Sequence, residues 1–251
     1  MNALKGKVAL VTGGSGSIGG AIAERLAHEG AVVVISYVGF EEGANKTLDA
    51  VREAGADGMT LVLDQRDPTS IDRAIQQVVD QYSRLDILVN NAAWNIGIPF
   101  PDLDALTPEI WDQVLETNLR GPFLLARSAA SALKASRGCV INISSAGGIS
   151  PGSSSIAYSS SKAGLNHLTR CLAVAMAPEV KVNCIAPGLV EGTRMANRLP
   201  EKNAEGARRQ AVLKRVGALE DIAEQVVTFC RSESVTGQTI VIDGGMPGAM
   251  R

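Results

Sequence analysis

The sequence predicts an α/β fold, a single doubly wound parallel sheet with helices on both faces. Three observations predict it. Short, β-branched apolar runs recur along the 251 residues. Amphipathic helical patterns separate them, and a glycine-rich turn joins the first run to the first helical pattern. Runs nearly continuous in hydrophobicity suit strands buried on both faces, and right-handed crossovers leave few topologies for them.

The elements follow in order. "KVALVT" (7–12) is the first strand and runs into "TGGSGSIG" (12–19). "IGGAIAERLAHEG" then reads as a helix, with Ile18, Ile22, Ala23 and Leu26 on one face and Gly30 as its stop. "AVVVIS" (31–36) and "GMTLVLD" (58–64) are the next strands. "TSIDRAIQQVVDQY" repeats Ile71, Ile75, Val78 and Val79 at helical spacing before "LDILVN" (85–90). "GCVINIS" (138–144), "VKVNCIA" (180–186) and "QTIVID" (238–243) complete the set. No repeat, low-complexity tract or linker interrupts the series, so residues 1–251 read as one domain. Residues 189–215 break the rhythm: the segment is long, polar and not a strand, as expected of a substrate lid or a disordered insert.

Composition narrows the function. Hydrophobic residues make up 45% and charged residues 20%, and the net charge is −2, as in a soluble globular protein without a nucleic-acid or anionic-membrane partner. No apolar run approaches the ~18 residues of a membrane span. The start of the chain reaches glycines too early for a secretory signal, so a cytoplasmic protein is expected. Cys139, Cys171, Cys184 and Cys230 are widely spaced among apolar neighbours and read as buried free thiols, with no metal site among them. His28 and His167 fall in helical patterns without a partner motif and are poor candidates for a catalytic base.

The glycine turn offers a nucleotide site. Gly13, Ser15, Gly16, Ser17, Ile18 and Gly19 follow a buried strand and open a helix, where a tight backbone lets a pyrophosphate approach unbonded N–H groups. A glycine cluster alone is equally well read as a tight turn; the preceding strand favours the nucleotide.

"YSSSK" (158–162) offers the chemistry. Positions i and i+4 share a helix face, so Tyr158 and Lys162 can share a site. Lowering a tyrosine pKa from ~10 to ~7 takes about 4 kcal/mol. A cation ~4 Å away supplies about that at an effective dielectric of ~20. The plainer alternative is an exposed helix start with a snorkelling lysine.

The chain resembles the short-chain dehydrogenase/reductase family over essentially its whole length. The matching stretches are "TGGSGSIG", Asp64, "NNAA" (90–93), Asn118 in "TNLRGPF", "NISS" (142–145), "YSSSK", "APG" (186–188) and "TGQTIVIDGG" (236–245). The resemblance implies a seven-stranded Rossmann sheet, a nicotinamide cofactor and hydride transfer between a ketone and a secondary alcohol. There are departures: Ser17 replaces the family's middle glycine while Gly16 sits one place early, and Ala93 replaces the usual final glycine of "NNAA". Ser17 brings a Cβ close to the pyrophosphate and a hydroxyl able to donate to it.

The resemblance also assigns roles. Tyr158 is the general acid/base, and Lys162 also binds the nicotinamide ribose. Ser145 orients the carbonyl, with Ser144 as the competing choice. Asn118 is either a satisfied core amide or the place of a backbone distortion holding a water that links Lys162 to solvent. Asp64 accepts from the adenine amino group, with Gln65, Asn91 and Ala92 nearby and backbone contacts from Asn90. Pro187, Gly188 and Val190 are cofactor contacts, and Thr193, lying one residue later than usual, binds the nicotinamide carboxamide or a phosphate. No metal is implied. Related enoyl reductases use a longer tyrosine-to-lysine spacing, so a C=O substrate is preferred.

The nucleotide is NAD(H) or NADP(H), leaning to NADP(H). Tyr37 stands where an NAD-binding acid is expected, and Ser36 offers a donor to a 2′-phosphate. The pocket is expected to take Trp94, Asn95, Ile96, Ser145, residues 147–153 with Gly147 and Gly152, Met195, and the lid, and so to suit a modest hydrophobic ketone or alcohol. The lid carries seven basic and three acidic residues. They read as a solvated face, or as a dock for acidic acyl carrier protein, since size and lid length resemble β-ketoacyl carrier-protein reductases. A catalytically silent nucleotide-sensing protein is the alternative of another class. The resemblance implies a homotetramer, with helices around 108–134 and 156–177 at one interface.

Overall fold

A computed structural model describes residues 3–193, 196–198 and 201–249. Each of the seven runs contributes a strand: β1 (Val8–Val11), β2 (Val32–Tyr37), β3 (Gly58–Val62), β4 (Ile87–Asn90), β5 (Cys139–Ile143), β6 (Lys181–Pro187) and β7 (Thr239–Ile242). They form one parallel sheet in the order β3-β2-β1-β4-β5-β6-β7. Between them run α1 (Ser17–His28), α2 (Glu41–Glu53), α3 (Pro68–Tyr82), α4 (Pro108–Leu115), α5 (Gly121–Ser136), α6 (Ile156–Ala175), α7 (Glu201–Gln210) and α8 (Leu219–Arg231).

Side-chain alternation along the strands builds two cores. Ala9 and Val11 of β1 face α1, α2 and α8, packing with Ile22, Leu48 and Phe229. Val8 and Leu10 face α3 and α5, packing with Ile71, Val78 and Leu125. Successive side chains point to opposite faces, so a continuous apolar run fills both layers at once. Burial on both faces holds for the inner strands only. The edge strands depart from the expectation: Val62 of β3 is 63% exposed and Ile240 of β7 is 37% exposed.

Residues 189–215 are more ordered than expected of an insert. Their described part holds α7, which buries none of its own residues, and a short 3₁₀ turn at Ala196–Arg198. A parallel bridge between Val190 and Gly217 closes the base of the segment. Polar helices with no apolar stripe carry no periodic signal, which is why pattern reading misses α7.

From β1 the chain winds outward to β2 and β3, then returns to β4 on the other side of β1. This reversal opens a crevice beyond the carboxyl ends of β1 and β4, where open α/β sheets bind ligands.

Candidate active site

Thr12, at the end of β1, organises one side of the crevice. Its hydroxyl accepts from the Asn91 and Ala92 N–H groups, each at 3.0 Å. The Asn91 amide donates back to the Thr12 carbonyl at 2.9 Å and the Gly13 carbonyl at 3.2 Å. The chain must be bare here: a Cβ on Gly19 would sit 2.4 Å from the Gly13 oxygen, and Gly13 itself has φ +63°. Gly16 caps α1 without a side-chain bond, and no acid occupies the first turn. Open N–H groups and a positive dipole end therefore meet a glycine cradle, an arrangement that fits a dinucleotide pyrophosphate.

Several expected cofactor contacts are otherwise engaged. The Ser17 hydroxyl, expected to serve a phosphate, donates to the Gly192 carbonyl at 3.2 Å and so joins α1 to the lid segment. Ser36, expected to donate to a 2′-phosphate, is 1% exposed, strand alternation turning it into the core. Tyr37 is half-buried at the end of β2, and burial followed by the nearby Glu41 carboxylate holds its phenol above the usual tyrosine range. Asp64 accepts from Arg66, including its guanidinium at 2.9 Å, and that bond outweighs burial to hold the carboxyl below its usual range. Thr193 donates to the Val190 carbonyl at 2.8 Å and accepts from Ala196 N–H at 3.2 Å, inside its own turn. Gly188 lets β6 pass β7, since a Cβ there would lie 2.5 Å from the Asp243 Cβ.

The other side of the crevice is built by β5 and α6. Ser155 caps α6 by accepting from the Tyr158 N–H at 3.2 Å, which sets the register of the helix. Tyr158 and Lys162 are 6% and 2% exposed. The Lys162 ammonium donates to the Ile143 carbonyl at 2.8 Å and lies over the Tyr158 ring, 5.7 Å from its centre. Ser145 hydrogen-bonds Tyr158, and its oxygen accepts from Gly147 N–H at 3.1 Å. Ser144 points elsewhere, donating to the Lys162 backbone carbonyl at 3.0 Å.

Burial reshapes the acid–base balance expected from charge alone. It raises the Tyr158 phenol above the usual tyrosine range, with the Ser145 bond opposing. It lowers Lys162 to about 8, with the electrostatic pull of the neighbouring Cys184 sulfur working the other way. The Coulomb argument from "YSSSK" is thereby corrected: it counted attraction and left out desolvation, which disfavours both charged forms. Cys184, pushed up to about 11 by burial, is a neighbour of Lys162 that no motif signals. The expectation of buried thiols fails at Cys171, which is exposed on α6; all four cysteines are unbridged.

Asn118 is wholly buried in a widened π turn, Glu116–Arg120. Its carboxamide pairs with the Trp94 backbone, accepting from N–H at 2.8 Å and donating to C=O at 2.9 Å. It is thus a satisfied core amide and also the seat of a backbone distortion. Pro122, four residues on, has no N–H to offer the Asn118 carbonyl, a signal present in "NLRGP" and easily passed over.

Trp94 packs against a small cluster of Val114, Ala157 and Tyr158. The loops on either side of the pocket are tied together: Ile98 N–H donates to Ser154 at 3.0 Å, and Ser154 Oγ donates to the Ile96 carbonyl at 3.3 Å. Gly147 is buried against Ser153, whereas Gly152 has φ +111° and open space around it. Met195 lies outside the described residues. Among the described residues, no group of three or more His, Cys, Asp or Glu could hold a metal ion, and no helix is long and apolar enough to cross a membrane.

A family model described as enoyl-(acyl carrier protein) reductase matches residues 13–247. A protein named as ketoacyl reductase 2 of the granaticin polyketide synthase, from Streptomyces violaceoruber, is 39% identical over 240 residues, 95% of each chain. The 3-oxoacyl-(acyl-carrier-protein) reductase FabG of Thermotoga maritima is 37% identical over 252 residues, 97% of this chain and 98% of that one. Among solved structures, a short-chain dehydrogenase from Burkholderia cenocepacia J2315 in complex with NADP has a TM-score of 0.89 and 32% identity, covering 98% of this chain and 99% of that one.

Proposed function

The chain belongs to the short-chain dehydrogenase/reductase family, NAD(P)-dependent oxidoreductases acting on CH–OH and C=O groups, and from that premise we propose that Tyr158 is its general acid/base. The observation that carries this assignment is the convergence of Ser145 and Lys162 on one buried phenol at the mouth of the crevice.

Tyr158 gives its proton to the carbonyl oxygen in reduction and takes it back in oxidation. Ser145 donates to the same oxygen and holds it in line with the phenol. Lys162 stabilises the phenolate and holds the ribose hydroxyls. The Asn118 carbonyl, which Pro122 has no N–H to serve, holds the water through which Lys162 exchanges protons with solvent. A bound nicotinamide supplies or accepts the hydride and, when oxidised, adds positive charge beside the phenol. Gly13, Ser15, Gly16, Ser17, Ile18 and Gly19 would hold the cofactor's pyrophosphate, with Asp64, Asn91 and Ala92 on the adenine side and Pro187, Gly188, Val190 and Thr193 on the nicotinamide side.

A ketone of modest size is the substrate class favoured by Trp94, Gly147 and Gly152 at the pocket. A carrier-linked β-ketoacyl thioester is the second reading, favoured by the names of similar reductases and by Lys202, Arg208 and Arg209 on α7. Part of that charge is already answered, because Arg208 bridges Glu191 and Glu201. NADP(H) is the preferred nucleotide. With Ser36 buried, the preference rests on Tyr37, which removes the carboxylate that would repel a 2′-phosphate. A homotetramer is favoured by the outer face of α4, α5 and α6, where Leu115, Leu119, Phe123 and Leu168 line an open groove of about 620 Å³.

The test is a panel of free ketones, alcohols, sugars and a carrier-linked β-ketoacyl thioester, each with NADH and NADPH, followed at the reduced-nucleotide absorbance. Turnover of at least one carbonyl, faster with NADPH, is expected. Tight nucleotide binding with no turnover across the panel would instead indicate a silent nucleotide sensor.

A further inference from the structure

We propose that Gln65 is a positioning residue, clamping the π turn that carries Asn118 to the loop that carries Ala92 and Trp94. The proposal deepens the assignment above and rests on it for its link to catalysis. Gln65 follows β3 and is 4% exposed. Its Nε2 donates to the Ala92 carbonyl at 2.9 Å and to the Thr117 carbonyl at 2.7 Å. Both amide protons are therefore used, and both acceptors are carbonyls, which sets the orientation of the carboxamide.

The Thr117 carbonyl needs that donor. In an α-helix the Gly121 N–H would serve it. Here the Gly121 N–H bonds Glu116 instead, closing the π turn, and the next residue is Pro122, which has no N–H. Widening the turn thus strips a carbonyl of its helical donor, and a side chain from another element replaces it. Gly121 makes the approach possible: a Cβ there would lie 2.9 Å from the Gln65 Cγ. The Gln65 Oε1 is buried without a hydrogen-bond partner, so the carboxamide is held through Nε2.

The two things joined are both working parts. Ala92 lies against the glycine cradle, 2.9 Å from where a Gly13 Cβ would be. Trp94 is paired with Asn118 and packs against the cluster holding Tyr158. Asn118 joins loop and turn at one point, and Gln65 joins them at a second from outside both. The family resemblance places Gln65 among cofactor contacts; its amide nitrogen faces protein carbonyls.

Gln65→Met keeps the length and removes the donors; Gln65→Glu keeps the shape and sets a carboxylate against two carbonyls. Four readouts are taken: kcat, KM, nucleotide Kd by calorimetry, and amide hydrogen exchange over residues 92–94 and 116–121. Gln65→Met is expected to lower kcat roughly tenfold with nucleotide Kd changed less than about threefold, and Gln65→Glu to lower it further. Exchange at Trp94, whose N–H bonds Asn118, is expected to quicken in both. Adding Asn118→Ala to Gln65→Met is expected to cost less than Asn118→Ala does alone. Unchanged exchange and kcat in either folded variant would overturn the clamp. A tenfold weaker Kd with unchanged kcat would make Gln65 a cofactor contact instead. Exchange needs no turnover, so faster exchange in a chain inert toward every carbonyl would sink the assignment and leave the clamp standing.

Discussion

The Lys162 ammonium lies 5.7 Å from the centre of the Tyr158 ring while donating to the Ile143 carbonyl at 2.8 Å. Lysine and tyrosine share one helix face and one dry site. Burial acts on both, raising the phenol and lowering the ammonium. Burial therefore favours Tyr158 as a neutral phenol in the free protein, the form that gives its proton in reduction.

Tyr158 should ionise above the usual tyrosine range in the free protein and lower when the oxidised nucleotide binds. Difference absorbance of the wild type against Tyr158→Phe isolates it from Tyr37 and Tyr82. The Phe variant should keep nucleotide affinity and lose roughly 10³-fold in kcat. Full turnover in that variant would remove Tyr158 from the chemistry.

Ser145 and Ser144 should separate cleanly. Ser145 touches the phenol, whereas Ser144 bonds the Lys162 backbone. Ser145→Ala should lower kcat roughly 10²-fold, in the range of lost oxyanion donors, with little change in melting temperature. Ser144→Ala should lower the melting temperature with a smaller rate loss. The reverse pattern would exchange their roles.

Lys162 should weaken the fold it serves. Its folded pKa of about 8 lies below the ~10.4 of an unfolded lysine, so the unfolded chain binds the extra proton between those values. Stability from this residue is lowest below pH 8 and recovers as pH rises toward ~10. Lys162→Met should lose at least about 10²-fold in rate. At pH 7 it should be more stable, by an amount on the order of 3 kcal/mol from the shift alone. The gap from wild type should close as pH rises. A less stable variant at pH 7 would show that the Ile143 hydrogen bond outweighs desolvation.

Gly19→Ala should damage the nucleotide cradle. Its Cβ meets the Gly13 carbonyl at 2.4 Å and the Asn91 amide at 2.7 Å, so the turn must open. A loss of about 1–3 kcal/mol in stability is expected from overpacking, with weaker nucleotide binding by calorimetry. Unchanged affinity would place the nucleotide elsewhere.

Asp86 should govern acid stability at the other end of the sheet. It is 2% exposed and accepts from Arg84, the Val8 N–H and Lys7. Burial pushes its carboxyl up, but those three partners together hold it below the usual range. Its contribution is present above ~3.9 and is lost as pH falls through the lower folded value. Asp86→Asn should cost about 2 kcal/mol at pH 7, both cations being partly solvated, with the deficit closing below pH ~4 in urea titrations. A constant deficit across pH would remove the charge from the explanation.

Much of this was legible in the residues themselves. The seven apolar runs determined the seven strands because a strand buried on both faces leaves a local pattern, as Val8 to Val11 do. "TGGSGSIG" and "YSSSK" determined the turn and the helix face because backbone freedom and the 3.6-residue period are properties of short stretches. The polar α7 left no such pattern. Only the tertiary structure decided that Ser17 spends its hydroxyl on Gly192, that Ser36 is buried, and that Gln65 reaches Thr117 across 52 residues. Only it decided that burial outweighs the Ser145 hydrogen bond at Tyr158. Desolvation and hydrogen-bond partnership depend on every chain segment surrounding a side chain, and those neighbours are distant in sequence until the chain has folded.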